Sequence, residues 1–526
     1  MKPFDERGAF CSVVDRNGLR RVAVRGAGVT ALSQGLGFAI QLIGTVVLAR
    51  LLTPADFGLV AMVTTFSLLL MNAGFNGVTE AIVQRDEIDH GLASNLFWIT
   101  AVAGVVLASG FAAAGSLIAR FYGDARIGPV AVALSATIVL SSLSVVHLAL
   151  LKRALCFSRV SANDVIARAT AVVVSILLGW WAWGYWALVA AAIALPLATG
   201  IGAWLRCHWL PGPPRRRDGT GPMVRFALNT YGHFAANYCT RNLDNFLIGW
   251  FFGPHPLGFY KKAYDLCVLP VAQLSDPLNS VAMPVLSRLA GDPERFRRYA
   301  IRALSTLAFV SMGLGAGLAL VGKDLMLVVL GPQWEESGRI FTFFAPGIGA
   351  MLIYLAYSWI HLSLGKPDRL LRWGIVELLV IGTLFAIGLR WGPVGIATAW
   401  VVASWALAVP ALCYAGRPAG LGMPAILAAV WRYAVASALA AGVTALLIRY
   451  LTSLTTATNW LAALERSATI SVVFAVAYVA TVMLLHGGSE PLQHIATLSR
   501  DMLPGRPWRS LPTVPLTSDA RTGAAL

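Results

Sequence analysis

Between Val29 and Leu485 the chain keeps returning to one pattern: a run of about twenty mostly apolar residues, then a polar break. An α-helix of that length crosses the hydrocarbon core of a bilayer, and only a helix satisfies every backbone N–H and C=O within its own segment there. The runs predict spanning helices near 29–49, 57–76, 96–118, 129–150, 165–183, 185–205, 227–251, 263–286, 302–321, 340–364, 371–389, 394–414, 429–448 and 468–485. Composition agrees. The chain is 57% hydrophobic and 13% charged, where a soluble protein of this size carries about 25% charged residues. The expected fold class is an all-α polytopic membrane protein with about fourteen transmembrane helices.

A net charge of +16 suggests nucleic acid until the charges are mapped. If the N-terminus is inside, Lys and Arg fall on interior segments over exterior ones by roughly three to one. That bias is the positive-inside pattern, so the basic balance sets topology, places both termini in the cytoplasm and leaves no nucleic-acid partner to expect. The first 28 residues hold no apolar core followed by a small-residue cleavage site, which predicts no cleavable signal peptide. The six cysteines, at 11, 156, 207, 239, 267 and 413, form no CxxC pair, so neither disulfides nor zinc are expected.

The Pro- and Gly-containing basic loop PGPPRRRDG (211–219) divides the first six helices from the rest. After the first helix the chain reads LLTPADFGLV (51–60), and after the seventh FFGPHPLGFY (251–260). Pro54 answers Pro254 and Gly58 answers Gly258 without a gap. A weaker echo pairs GYWALVA (184–190) with GIATAWV (395–401). Six helices separate the copies, so they run in the same direction and form a parallel repeat whose pseudo-two-fold lies along the membrane normal. The expected organisation is a cytoplasmic segment (1–28), an N-lobe of helices one to six (29–205) and a basic cytoplasmic linker (206–226). A C-lobe of helices seven to twelve (227–414), two further helices (429–485) and a cytoplasmic tail (486–526) follow. The tail's Pro, Ser and Thr content predicts disorder. WWAWGYW (180–186) suits an aromatic belt at the membrane surface.

Two six-helix lobes leave a cleft near the bilayer midplane, where transporters of repeated architecture place their substrate. The seventh run, NYCTRNLDNFLIG (237–249), carries Asn237, Arg241, Asp244 and Asn245, with spacings of three and four that favour one face. A full charge at the centre of a spanning helix costs about 2.5–3.5 kcal/mol on insertion scales, so that face should look at protein or water. Arg241 and Asp244 could form an i,i+3 ion pair, or line a functional cavity, or both. The eighth helix carries Lys262 near its start, then Asp265, Gln273, Asp276 and Asn279, and Pro277 could kink it. Gln34 and Gln41 lie in the first helix, and Asn72, Asn76 and Glu80 follow one another by four at the end of the second. Glu377 has no basic neighbour in sequence; it could titrate as a proton site or bond a neighbouring helix. His147, His233 and His361 read as interhelical hydrogen-bonding residues rather than ligands. GxxxxGK[ST], GxSxG and HExxH are absent, so no ATP, no metal and no other cofactor is expected, and no enzyme.

Five segments carry a family resemblance: ARLLTPADFGLVAMVTTF (49–66), IVQRDEIDHGLASNLFW (82–98), LKRALCFSRVSANDVI (151–166), RNLDNFLIG (241–249) and GFYKKAYDLCVLPVAQLSDPLNSVAMPVLSRL (258–289). Over roughly residues 25–415 the chain resembles the bacterial polysaccharide-synthase or Wzx-type flippases, WzxC-like branch. These belong to the multidrug/oligosaccharidyl-lipid/polysaccharide exporter superfamily. The resemblance implies a flippase of the bacterial inner membrane that moves undecaprenyl-diphosphate-linked oligosaccharide units outward for exopolysaccharide, capsule or O-antigen assembly. It implies lipid-linked oligosaccharide and membrane lipids as ligands, and a polysaccharide polymerase with chain-length machinery as partners. Arginine suits phosphate and amides suit hydroxyls, so Arg241, Asn237, Asn245, Lys262, Asn279, Gln41 and Asn76 are the substrate-binding candidates. Asp244, Asp276 and Glu377 are the candidates for ion coupling. Two alternatives stand beside this reading: a drug exporter of the same superfamily, favouring carboxylates and aromatics in its cleft, and a membrane-embedded polymerase or ligase, needing a sizeable external loop.

Overall fold

The computed structural model of the chain describes residues 3–5, 8–10, 19–72, 75–85, 87–214, 220–450, 460–489 and 493. In chain order the α-helices are α1 (Leu19–Leu51), α2 (Pro54–Met71), α3 (Phe75–Gln84), α4 (His90–Tyr122), α5 (Ile127–Ser142), α6 (Val145–Arg153), α7 (Phe157–Trp180), α8 (Tyr185–Cys207) and α9 (Thr220–Arg241). There follow α10 (Leu243–Phe252), α11 (Pro254–Leu289), α12 (Pro293–Val329), α13 (Glu335–Phe344), α14 (Gly347–Ser363), α15 (Pro367–Gly388), α16 (Gly392–Gly416), α17 (Met423–Tyr450) and α18 (Trp460–His486). Among the described residues no strand forms; two isolated bridges join Phe4 to Phe10 and Ala9 to Asp89.

The protein is a multi-pass membrane protein. Among the described residues, ten stretches are long and apolar enough to cross a bilayer unaided, and α13 with α14, bent by 52°, makes an eleventh if the pair is one span. The α9–α10 and α11 segments are not among them. α9 and α11 are the polar helices of the sequence and α10 is apolar but only 10 residues long, yet α11 at 36 residues is about 54 Å long, far more than a bilayer needs. Residues 490–492 and 494–526 of the tail and 215–219 of the basic loop lie outside the described residues, while residues 220–226 of the expected linker are already helical.

Several of the sequence's single runs are two helices in space. The second breaks after Asn72, the fourth at Leu143–Ser144, the seventh at Asn242 and the tenth at Ala345–Pro346. At the tenth, Pro346 has no N–H to donate to the ladder. At the seventh, Asn242 leaves helical geometry (φ −117°, ψ 9°) while its side-chain amide donates to the Tyr238 carbonyl at 2.9 Å. A side chain that bonds the backbone in this way competes with the helix ladder.

The repeated hairpins are built alike and face each other. Thr53 caps α2 in a reciprocal box with Asp56, and Pro54 opens the helix; Pro254 opens α11. A Cβ added to Gly58 would overlap the Pro254 carbonyl, and one added to Gly258 would overlap the Pro54 carbonyl. Only hydrogen side chains let these turns cross so closely. The main apolar core lies behind this crossing and draws on both halves of the chain: Leu59, Met62 and Ile138 pack with Ile248, Tyr260, Trp334 and Phe344.

The last two helices are docked on α12 by aromatic side chains seated on glycines. Tyr478 lies against Gly313 and Phe474 against Gly317, and the Tyr478 hydroxyl donates to the Phe309 carbonyl at 2.7 Å. Tyr433 of α17 meets the Ser305 hydroxyl at 3.1 Å, and Arg466 pairs with Asp324 at 3.3 Å. Their outer faces expose Leu439, Leu446, Val472 and Val476, as a lipid-facing surface must.

Candidate functional site

Helix α9 shows which way its arginine points. Met223 and Ala227 are buried, and Ala227 meets Gly77 of α3 at backbone contact. Phe234, Asn237 and Arg241 continue that face at spacings of three, four and seven, so they point into the bundle. Arg241 is nevertheless exposed, as is Asn237. Both residues are therefore open to approach on the side that faces α11, α14 and α15. The guanidinium makes no ion pair within 4 Å among the described residues, and its charge acts on Tyr264 of α11, Tyr357 of α14 and Glu377 of α15.

The pairing left open by the sequence is therefore not made. The break at Asn242 separates Arg241, the last residue of α9, from Asp244 in the first turn of α10. Asp244 is buried at 1% exposure. It accepts the Tyr260 hydroxyl at 2.8 Å and the Asn245 backbone N–H at 2.7 Å, and the charge of Lys261 acts on it. Asn245, also buried, donates to Asn242 Oδ1 at 3.2 Å, while its own Oδ1 has no partner among the described residues. Buried polar groups are usually satisfied, so this small cluster has spare acceptor capacity.

The other candidates divide by place. Glu377 is half-buried beside the Tyr354 hydroxyl and within reach of the Arg241 charge, which supplies the basic neighbour missing from its local sequence. Asn279 accepts a hydrogen bond from the Trp359 indole and ties α11 to α14. Lys262 lies 4.0 Å over the Phe57 ring at the crossing of the two hairpins, and Lys261 pairs with Asp265 at 2.5 Å. Gln34 and Gln41 are exposed on α1, next to the stripe of Gly37 and Gly44 that packs on Arg168 and Val172 of α7. Gln273 and Glu80 are exposed. The side chains of Asn76, Asp276 and His233 lie outside the described residues. His147 is fully buried, 3.2 Å from the Trp209 carbonyl, and His361 is fully buried with both ring nitrogens unpartnered among the described residues. No group of three His, Cys, Asp or Glu among the described residues could hold a metal.

A set of contacts that sequence reasoning missed closes the bundle at the Pro54/Pro254 end. Gly331 turns the chain after α12 with φ at 101°, a conformation glycine reaches without strain. The following Gln333 and Trp334 donate to the unpaired carbonyls at the end of α1: Trp334 Nε1 to Ala49 at 2.7 Å, Gln333 Nε2 to Leu52 at 3.2 Å and also to Ala49. In return Arg50 donates to the Val328 carbonyl, at the end of α12, at 3.1 Å. Each helix thus caps the other's last turn, where four carbonyls lack intrahelical partners. GPQW (331–334) carries no motif beyond a Gly-Pro pair, which favours a turn.

Comparison with known proteins fits this architecture. Residues 47–339, more than half of the chain, match the sequence model of the polysaccharide biosynthesis protein family. The chain belongs to that family. Other sequences lie near this polysaccharide biosynthesis protein. The lipopolysaccharide biosynthesis protein WzxC of Escherichia coli K12 is 24% identical over 327 residues, covering 60% of this chain and 65% of WzxC, a little under two thirds. The succinoglycan biosynthesis transport protein ExoT of Rhizobium meliloti is 21% identical over 381 residues, covering 72% of this chain and 77% of ExoT. In space the chain is similar to the lipid II flippase MurJ in an inward-closed conformation. The TM-score is 0.67 at 14% identity, over 88% of this chain and all of that one. At that identity the likeness speaks for the fold alone.

Proposed function

We propose that this family member is a flippase that moves undecaprenyl-diphosphate-linked oligosaccharide units across the cytoplasmic membrane for exopolysaccharide, capsule or O-antigen assembly. The observation that carries the reading is Arg241: a guanidinium on the inward face of a helix, exposed and without a carboxylate partner among the described residues. Such a group is a costly thing to leave in a membrane unless something anionic visits it, and its rigid fork of donors matches phosphate oxygens. The family membership and the transport function named for ExoT support the same reading.

In this account the fourteen runs cross the membrane with both ends in the cytoplasm. Residues 29–205 and 227–414 form two lobes, and 429–485 an addition packed on the second. The lobes alternate access to the cleft by rocking about the glycine crossing, which places the caps between α1 and α12 on the exterior side. The diphosphate binds Arg241, and Asn237 and Gln41 serve the sugar hydroxyls, while the prenyl chain stays in lipid. Asp244, Asp276 and Glu377 couple the return step to a proton or sodium gradient. A polymerase and chain-length machinery receive the product outside. A drug exporter with carboxylates in its cleft is disfavoured, because Arg241 acts on the same wall as Glu377.

The test is a gene deletion followed by lipid extraction from each leaflet. Lipid-linked oligosaccharide should accumulate in the cytoplasmic leaflet and polymer should vanish from the surface. Normal polymer with no accumulation contradicts the reading.

A further inference from the structure

Resting on that reading and refining its site, we propose that Tyr354 and Tyr357, both partly exposed on α14, form a saccharide-stacking platform within reach of the Arg241 charge. The two rings stand one helix turn apart on α14, half-buried, with centroids 4.4 Å apart. They are held from behind. The Trp373 indole donates to the Tyr354 hydroxyl at 2.8 Å, Trp373 stacks on Tyr414 at 5.7 Å, and the Arg369 guanidinium covers Tyr414 at 4.2 Å. Arg369 also donates to the Tyr414 carbonyl at 2.6 Å, which fixes α15 to α16 at this point. Rings locked by such a backing lose little freedom when a ligand arrives, the condition under which aromatic contacts add most to affinity.

The chemistry beside the rings selects the ligand. Glu377 sits by the Tyr354 hydroxyl, and the Arg241 charge acts on both Glu377 and Tyr357. A sugar ring presents a face of C–H bonds, which suits the negative face of a tyrosine, and a rim of hydroxyls, which suits a carboxylate and a guanidinium. A diphosphate without sugar has no use for the ring faces. An organic cation could use the rings and Glu377, but Arg241 acts on both and opposes it. A neutral hydroxylated ring joined to an anion satisfies every group present. From Glu377 to Arg369, eight residues along α15, the wall extends about 12 Å.

The experiment uses the full-length protein in nanodiscs and two probes, farnesyl diphosphate and the same diphosphate carrying one N-acetylhexosamine, with binding read by calorimetry. The wild type should bind the sugar-bearing probe more tightly. Tyr357→Leu, which keeps bulk without an aromatic face, should lose about tenfold for that probe and leave the bare diphosphate unchanged. Tyr357→Phe should keep the preference, and Arg241→Ala should weaken both probes. Equal binding of the two probes by the wild type, or a Tyr357→Leu protein that keeps the preference, overturns the platform alone. Binding of neither probe overturns the lipid-linked substrate reading, and the platform with it.

Discussion

Gly58 and Gly258 touch across the bundle, each lying under the proline carbonyl that opens the other's helix. The two positions are equivalent in the sequence repeat, so the pseudo-two-fold passes between them and the two hairpins meet on it. The crossing is tight enough that neither position can accept a methyl group without the hairpins moving apart.

Gly58→Ala and Gly258→Ala should each therefore loosen this end of the bundle. Overpacking of this kind costs about 1–3 kcal/mol, enough to shift a balanced two-state equilibrium by roughly five- to a hundredfold. Labelling of a cysteine placed at Lys262, with a membrane-impermeant reagent added from outside, should speed up in either variant. Unchanged labelling in both would show that the crossing is no gate.

The caps between α1 and α12 predict a second, separable effect. Gln333→Ala removes donors to two carbonyls and Trp334→Phe removes one, with rings and volumes largely kept in the latter. Each bond lost contributes about 0.5–1.5 kcal/mol, and the same impermeant-label assay should show Gln333→Ala more open than Trp334→Phe. The reverse order would contradict this account of the caps.

Asp244 is expected to be sensitive to its hydroxyl donor. Tyr260→Phe leaves a buried carboxyl short of one bond and should destabilise the protein by about 1–3 kcal/mol, read as a lower midpoint of thermal unfolding in detergent. Asp244→Asn keeps the shape and an acceptor, so it should unfold closer to the wild type. If Asp244 also couples an ion, Asp244→Asn should stop gradient-driven transport without that loss of stability. An Asp244→Asn protein with full gradient dependence removes Asp244 from the coupling set.

The docked pair α17–α18 makes a prediction about stability. Tyr478→Ala removes a ring seated on Gly313 together with its bond to Phe309, a change of the class that costs about 3–5 kcal/mol. Limited proteolysis should cut the C-terminal region of this variant first. Wild-type resistance would mean that the docking rests elsewhere, on Asp324–Arg466 above all.

Much of this was legible in the sequence, and the reasons for the remainder are physical. Apolar runs announced the membrane helices because lipid imposes one period and one length on them. The Pro54/Pro254 and Gly58/Gly258 correspondence announced the repeat, although not that its copies touch. An Arg241–Asp244 ion pair stood open beside cavity lining, because a continuous helix would bring the two within one turn. The pair is not made: Arg241 ends α9, Asn242 leaves helical geometry, and Asp244 is buried at the start of α10 against the Tyr260 hydroxyl. Tyr260, sixteen residues on, and Gln333, nearly three hundred residues from its acceptors, were beyond sequence reasoning. Their partners are set by helix packing, which local spacing does not encode. Glu377 has no basic residue within one turn of its own helix, Arg372 being five positions back; in space the Arg241 charge reaches it.

The central claim is tested most directly by flipping in a defined system. Proteoliposomes containing the wild type, Arg241→Lys or Arg241→Ala would be loaded in the outer leaflet with a fluorescent undecaprenyl-diphosphate oligosaccharide, with transbilayer movement read by dithionite protection. The account predicts rapid movement by the wild type, partial movement by Arg241→Lys, and none above protein-free vesicles by Arg241→Ala. Wild-type rates from an Arg241→Ala protein that folds and inserts normally would contradict it.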